Sequence, residues 1–424
     1  MSSATTSARP RLFLFLQGPT NFLFADVAQR LRDRGHAVQR INFCVGDQLF
    51  WRGPDAVNFR GRLEEWPAFI AAFLQEHAVT DIVLLGEQRV YHRAAIAAAR
   101  PLGIAVTVTD FGYIRPDWVI VERNGMNAES EFPRDAAAIL ALAKGLPPVD
   151  RQVRYTDRFL NQALWDMTFH LSSALWPWPF PHFRRHTLHH PLLTYCAIGW
   201  RLARGRLERR RAARIVDAIG ANRPLFVFAM QTEDDYSLRA YSLFPDLDTP
   251  MRQVIQSFAR AAPLDAMLVF KVHPLDPGIK AWGRRIARMA TEAGVTARVR
   301  YIDGGDLDAL IRRARGVITV NSTVGLRSIE LGCPTLALGE AIYRVAGLTF
   351  EAPLDEFFTA PVPPDAALAD AFLRAIAATL HVRGGYYAAA GLDAAAEGMA
   401  YRLHHELVNQ PVTEVLLGKS LPVA

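Results

Sequence analysis

Residues 225–239 read LFVFAMQTEDDYSLR, an apolar run ending at Met230 and then three consecutive carboxylates, Glu233, Asp234 and Asp235. Neighbouring like charges repel, and adjacent positions share neither a helix face nor a cross-strand pair. Three chemistries accommodate them. Acids are favoured in the first turn of a helix, where they meet its positive end. An Asp-x-Asp pattern can hold a metal. A carboxylate where a buried strand surfaces can be catalytic, with Gln231 hydrogen-bonding either the acid or the substrate. On this reading one of the three acids is catalytic and Gln231 stands beside it.

Two further stretches have the same layout. KVHPLDPG (271–278) sets Lys271 and His273 at the end of an apolar run that Pro274 cannot continue. A Lys and a His there suit a phosphate; the alternative is a capped strand with an exposed His. VNSTVGLRSIELG (320–332) ends an apolar run at Asn321 and opens a helix with Ser322 and Thr323. Hydroxyls and free N–H groups at a helix start make an anion site, and they equally make an ordinary Ser cap. Gly325 would let a ligand approach closely, and Glu330 would meet a ribose hydroxyl.

The first part of the chain repeats the pattern. Gln17 and Gly18 follow RLFLFL, Asn42 and Asp47 lie at the end of AVQRINF, and Glu87, Gln88, Arg89 and His92 follow TDIVLLG. Asp110, Tyr113 and Arg115 follow IAVTVTD. Polar residues massed at strand ends suggest a wall for a second substrate: Gln17, Gly18, Asn42, Glu87, Arg89, Asp110, Tyr113 and Arg115.

What must position these residues is a set of buried strands. Strand patterns at 11–16, 37–43, 80–86 and 104–110 alternate with helical patterns at 24–34, 66–78 and 92–103. The alternation restarts after residue 220, with strands at 224–230, 266–273, 297–303, 316–321 and 334–339. Near-continuous apolar strands alternating with helices specify parallel sheets covered on both faces. In such sheets ligands bind outside the carboxyl ends of the strands. The expected fold is α/β, two doubly wound, Rossmann-like domains facing across a cleft, as in the GT-B layout that epimerases and periplasmic binding proteins broadly share. The expected boundaries are 1–150 for an acceptor-side domain, 151–214 for an inserted basic, aromatic helical segment, 215–360 for a nucleotide-sugar domain and 361–424 for helices packing back.

Composition narrows the classes. The 424 residues are 50% hydrophobic and 21% charged, enough for two domains with substantial cores. Three cysteines without metal or disulfide spacing point to a reducing compartment. LFLFL near the N-terminus is too short for a secretory signal core and reads as a first strand, and no run approaches the ~20 apolar residues of a spanning helix. The net charge of +6 is uneven: residues 151–214 hold twelve arginines against Asp157, Asp166 and Glu208, together with four of the eight tryptophans.

Taken jointly, QGPTNFLFADVAQRLRDRGHAVQRINFCVGD, LLGEQRVYHR, DFGYIRPDWVIVERNGMN, MQTEDDYSLRAYS, KVHPLDPG and VNSTVGLRSIELGCPTLALG resemble the bacterial capsule polysaccharide biosynthesis and export proteins of the KpsS/LipB type over roughly residues 11–360. The resemblance implies a β-Kdo glycosyltransferase. Such an enzyme moves Kdo (3-deoxy-manno-octulosonate) from CMP-Kdo to a lyso-phosphatidylglycerol-type lipid and starts a poly-Kdo linker. It implies a C-type Kdo transferase and an ABC exporter as partners, and a peripheral place on the cytoplasmic face of the inner membrane. The family's Gln-x-x-x-Asp-x-Ser pattern falls on Gln231, Asp235 and Ser237, its His-Pro motif on His273 and Pro274, and its phosphate site on Ser322 and Thr323. CMP-Kdo has a single phosphate, so no cofactor and no metal is expected. Retention of anomeric configuration assigns Asp235 as nucleophile; Glu87 and Asp110 are candidates for the acid–base partner by position.

On this reading the basic, aromatic segment meets an anionic leaflet, which attracts arginine and accepts tryptophan at its interface. It has no recognition motif for nucleic acid, and a solvated helical hairpin is the plain alternative. Two other functions stay open: a non-catalytic assembly factor that hands the lipid-linked glycan to the exporter, and a CMP-sugar or CDP-polyol transferase with another acceptor.

Overall fold

Twelve strands form among the described residues, most of them where the apolar runs lie. They are β1 (Leu12–Phe15), β2 (Ala37–Asn42), β3 (Ala56–Asn58), β4 (Asp81–Leu85), β5 (Ala105–Phe111), β6 (Trp118–Arg123), β7 (Leu225–Ala229), β8 (Met267–Lys271), β9 (Val299–Ile302), β10 (Gly316–Thr319), β11 (Thr335–Ala337) and β12 (His381–Arg383). The structure is a computed structural model, and it describes residues 10–185, 189–233 and 236–416. The chain divides into two units, one of Met1–Phe132, Gly145–His186 and Leu373–Ala424, the other of Pro133–Lys144 and Thr187–Phe372.

The first unit carries a seven-stranded sheet of order β12-β6-β5-β4-β1-β2-β3. β1 to β5 are parallel, and β6 runs antiparallel to both its neighbours. β6 lies inside DFGYIRPDWVIVER, and β12 is a three-residue strand in the C-terminal region. Neither is among the strands expected from the sequence. Helix Leu23–Asp33 packs against helix Ala389–His404, interleaving Val27 and Leu31 with Met399 and Leu403. Arg402, fully buried, fastens this C-terminal layer by donating to the carbonyls of Ala378, His381, Leu407 and Gln410.

The second unit carries a five-stranded, all-parallel sheet of order β11-β10-β7-β8-β9. Side chains alternate across a strand, so Phe226 and Phe228 of β7 face one core with Val254, Phe258 and Phe270. Leu225 and Val227 face the other with Val269, Ile311 and Val317. That second face is closed by Ala212, Ile215, Val216 and Ile219, at and just past the end of the long helix Pro191–Ala218. The expected segment 151–214 is thus shared: helix Phe159–Leu175 belongs to the first unit, and the arginine-rich helix is a structural layer of the second.

Both sheets have one topology. In each, the first strand is followed by two neighbours on one side, and the chain then crosses to its other side. The order therefore reverses between β1 and β4 in the first unit and between β7 and β10 in the second. Ligands of open α/β sheets sit at such switch points.

Candidate active site

In the second unit, Gln231 follows β7 and Asn321 follows β10. The Gln231 amide donates to Asn321 Oδ1 at 2.8 Å, and the Asn321 backbone N–H donates to Gln231 Oε1 at 3.1 Å. Both side chains are buried. The pair ties together the two strand ends at the switch point and fixes the chain just before the acidic triplet. Asp234 and Asp235 lie outside the described residues, as do the side chains of Tyr236 and Ser237. Glu233 is an ion-pair partner of Lys280 and accepts from the backbone N–H of Leu247 at 3.5 Å.

Ser322 caps helix Thr323–Glu330, its hydroxyl accepting from Val324 N–H at 3.3 Å. Its carbonyl accepts from Tyr343 OH at 2.6 Å. The place a Cβ would occupy on Gly325 is taken by the Tyr343 phenol. Packing against Tyr343 therefore accounts for the glycine without a ligand. Glu330, at the far end of this helix, pairs with Arg327 at 2.8 Å.

The loop after β8 is held from within and from outside. Leu275 N–H donates to His273 Nδ1 at 3.1 Å, which puts the proton of the neutral ring on Nε2. β8 ends at Lys271, and Pro274, which has no N–H for the ladder, lies in the loop three residues on. Buried Asp276 accepts from Gly278 N–H at 2.7 Å and Trp282 Nε1 at 3.0 Å, and burial raises its pKa. Lys271 donates to Gly304 O at 3.0 Å, and burial lowers its pKa.

Arg201 clamps this loop from helix Pro191–Ala218. It donates to the carbonyls of His273 (3.1 Å), Pro274 (2.8 Å) and Asp276, and grips the Asp303 carboxylate with Nε and Nη2 (2.7 and 2.5 Å). One arginine thereby locks the ends of β8 and β9. Sequence reasoning missed it, because its partners are mostly carbonyls that any residue supplies.

The first unit's switch point is built in parallel. Arg89, which precedes helix Val90–Ala99, donates to Gln17 Oε1 at 2.7 Å, joining the ends of β4 and β1. Gln17 Nε2 donates to Asp47 at 3.3 Å, and Asp47 pairs with buried Arg40 at 3.0 Å. Arg40 also reaches Asn42 Oδ1 at 3.0 Å and the carbonyl of Leu16. A Cβ on Gly18 would meet the Phe24 ring at 2.6 Å.

Glu87 is buried just past β4, after Gly86 at φ +66°. Burial pushes its carboxyl up to about 8; Asp110 and Glu129 push the same way. Glu122, beside it in charge terms, is also raised to about 8, chiefly by burial. It accepts from Tyr113 OH at 3.2 Å and from Ser130. Buried His92 meets the Gly86 carbonyl at 2.7 Å, and burial drops its pKa to about 3, so the ring is neutral. Asp110 accepts from the Phe111 N–H at 2.7 Å, and exposed Arg115 lies over the Phe111 ring at 5.0 Å.

In the second unit, therefore, the structure brings Gln231, Asn321 and Ser322 to the β7–β10 switch point, with Lys271 and His273 at the end of neighbouring β8; in the first it brings Gln17, Glu87 and Arg89 to the β1–β4 switch point, with Asp110 on neighbouring β5. Tyr113 instead supports Glu122, and Asn42 supports Arg40. Among the described residues, no group of three or more His, Cys, Asp or Glu is placed to hold a metal, and no helix is long and apolar enough to cross a membrane.

Two doubly wound α/β units with polar residues braced at both switch points define a protein of the doubly wound α/β class. The chain belongs to the family described as capsule polysaccharide biosynthesis protein, whose model matches residues 80–387. It is 27% identical to the capsule polysaccharide export protein KpsS of Escherichia coli over 380 residues, covering 88% of this chain and 96% of that one. It is 28% identical to the capsule polysaccharide modification protein LipB of Neisseria meningitidis serogroup B, covering 88% and 91%. Among solved structures it is similar to KpsC, a β-Kdo 2,7 transferase of Thermosulfurimonas dismutans, with 13% identity and a TM-score of 0.42 over 94% of this chain and 98% of that one.

Proposed function

We propose that this capsule-biosynthesis protein is a glycosyltransferase that moves Kdo from CMP-Kdo to a (lyso)phosphatidylglycerol-type lipid with retention of anomeric configuration. The observation that carries the reading is the second unit's switch point. There the Gln231–Asn321 brace, the N-terminus of helix Thr323–Glu330 and the Lys271–His273 loop end together at neighbouring strands. A helix N-terminus and a cationic strand end suit a single phosphate without a metal. The donor's CMP phosphate is held by Ser322, Thr323 and His273, with Lys271 supplying positive charge.

In the first step the Asp235 carboxylate attacks the anomeric carbon, the bond to the CMP phosphate breaks, and CMP leaves with the electron pair. In the second, the acceptor hydroxyl attacks the same carbon, Asp235 departs with the electron pair of its bond, and a general base takes the hydroxyl proton. Gln231, braced by Asn321, holds the chain where β7 ends.

The product would enter capsule assembly through a C-type Kdo transferase and an ABC exporter, with the protein peripheral on the cytoplasmic face of the inner membrane. The likeness to KpsS, an export protein by name, favours a second reading, a non-catalytic factor that passes lipid-linked glycan onward. CMP titration separates the two. The transferase reading expects CMP to protect the wild type against thermal unfolding, and much less so after His273→Ala or Ser322→Ala. Equal protection of all three, or none, contradicts the donor site.

A further inference from the structure

Helix Phe159–Leu175 is apolar on two opposite faces. One face is accounted for: Trp165 stacks on Phe50 with ring centroids 5.7 Å apart, Phe169 is buried, and Ser173 Oγ accepts from Gly46 N–H at 3.0 Å. The opposite face carries Leu160, Leu164, Met167, Leu171 and Leu175, at the i, i+4, i+7, i+11, i+15 spacing of a single stripe. Leu160 is 78% exposed, Leu164 63% and Leu175 54%. At 1.5 Å per residue the stripe is about 22 Å long. The chain then continues into Trp176 (51% exposed) and Trp178 (68% exposed). A contiguous apolar stripe left exposed marks an interaction surface, so this outer face calls for a cover.

The charges around it select the cover. The helix has no Lys or Arg, and its one carboxylate, Asp166, has His170 at 3.6 Å. Exposed Arg158 precedes it, and exposed Arg184 and Arg185 follow the tryptophan turn. Directly after that turn, His182, Phe183 and Arg184 line a cavity of about 470 Å³ together with Arg62 and Glu64, two arginines against one carboxylate. An apolar stripe, interfacial tryptophans and a cationic pocket side by side match one chemistry, an anionic phospholipid surface.

We infer that the first unit docks on an anionic bilayer through the Leu160–Leu175 stripe and Trp176 and Trp178, with a lipid phosphate drawn to the Arg62–His182–Arg184 cavity. This deepens the proposed reading by giving its lipid partner a place, yet vesicle binding requires no transfer chemistry. The arginine-rich helix Pro191–Ala218, whose Arg201 is committed to the β8 loop, is not needed for it.

The test is flotation of the full chain with phosphatidylcholine vesicles, with and without phosphatidylglycerol. The wild type should bind the anionic vesicles at least about tenfold better than the neutral ones. Leu164→Glu with Met167→Glu should lose about tenfold or more, and so should Arg62→Glu with Arg184→Glu, with unchanged thermal unfolding. Leu243→Glu, on a fully exposed residue of the second unit, should bind like the wild type. Failure of the wild type to float, or unchanged binding by the Leu164/Met167 variant, overturns the inference. So does a dimer that the same pair of substitutions splits, because the stripe would then be an interface between copies. If the vesicles are bound as predicted while no Kdo is transferred, the docking surface stands and the transferase reading falls.

Discussion

Gln231 and Asn321 exchange two hydrogen bonds across the point where the second sheet reverses its strand order, at 2.8 and 3.1 Å. Gln17 and Arg89 make the corresponding tie in the first sheet, at 2.7 Å. The chain thus solves one problem twice. Two strand ends on either side of a switch point are locked by hydrogen bonds between side chains.

Removing half of the Gln231–Asn321 brace leaves buried donors and acceptors behind. Asn321→Ala should cost about 1–3 kcal/mol of stability. The double variant with Gln231→Ala should cost clearly less than the two single losses added together. Urea unfolding of the three variants measures this; strict additivity would mean that the two side chains act separately.

Arg201 is the keystone of the β8 loop, and its loss strips three carbonyls and one carboxylate of their partner. Arg201→Ala should destabilise by about 2–4 kcal/mol and weaken CMP binding through the released His273 loop. Arg204→Ala, three residues along on an exposed side chain, should change stability by no more than about 0.5 kcal/mol. Equal effects of the two substitutions would reduce Arg201 to one more surface charge.

Glu87 and Glu122 both carry pKa values raised by burial from 4.5 to about 8. Both are therefore neutral in the folded protein at pH 7, whereas in the unfolded chain they are ionised. The stability this supplies is complete below pH about 4.5 and declines as pH rises through about 8. Glu122→Gln should flatten part of that decline in the melting temperature. Glu87→Gln should flatten the remainder of it. A melting temperature flat from pH 5 to pH 8.5 would contradict the shared burial.

Much of this was legible in the sequence because a parallel strand buried on both faces must be a continuous apolar run. The first polar residue after it then marks the carboxyl end where ligands bind. That located Gln17, Glu87, Gln231, His273 and Asn321. The same rule hid β6, whose WVIVER follows Gly112 and Pro116, and β12, whose three residues adjoin a helical run. Arg201 was hidden for a different reason. Its place in an arginine-rich, tryptophan-containing stretch suggested a lipid surface, while its partners lie more than 70 positions away and are mostly backbone. Gly325 suggested room for a ligand; the room belongs to Tyr343.

The central claim is that Asp235 performs sugar transfer from CMP-Kdo. The direct measurement mixes the purified chain with freshly generated CMP-Kdo and a fluorescent lyso-phosphatidylglycerol and weighs the product by mass spectrometry, for the wild type and for Asp235→Ala. The account predicts a product heavier by one Kdo or more with the wild type and none with the variant. No mass gain by a folded wild type that still binds the lipid, or equal gain by the variant, would contradict it.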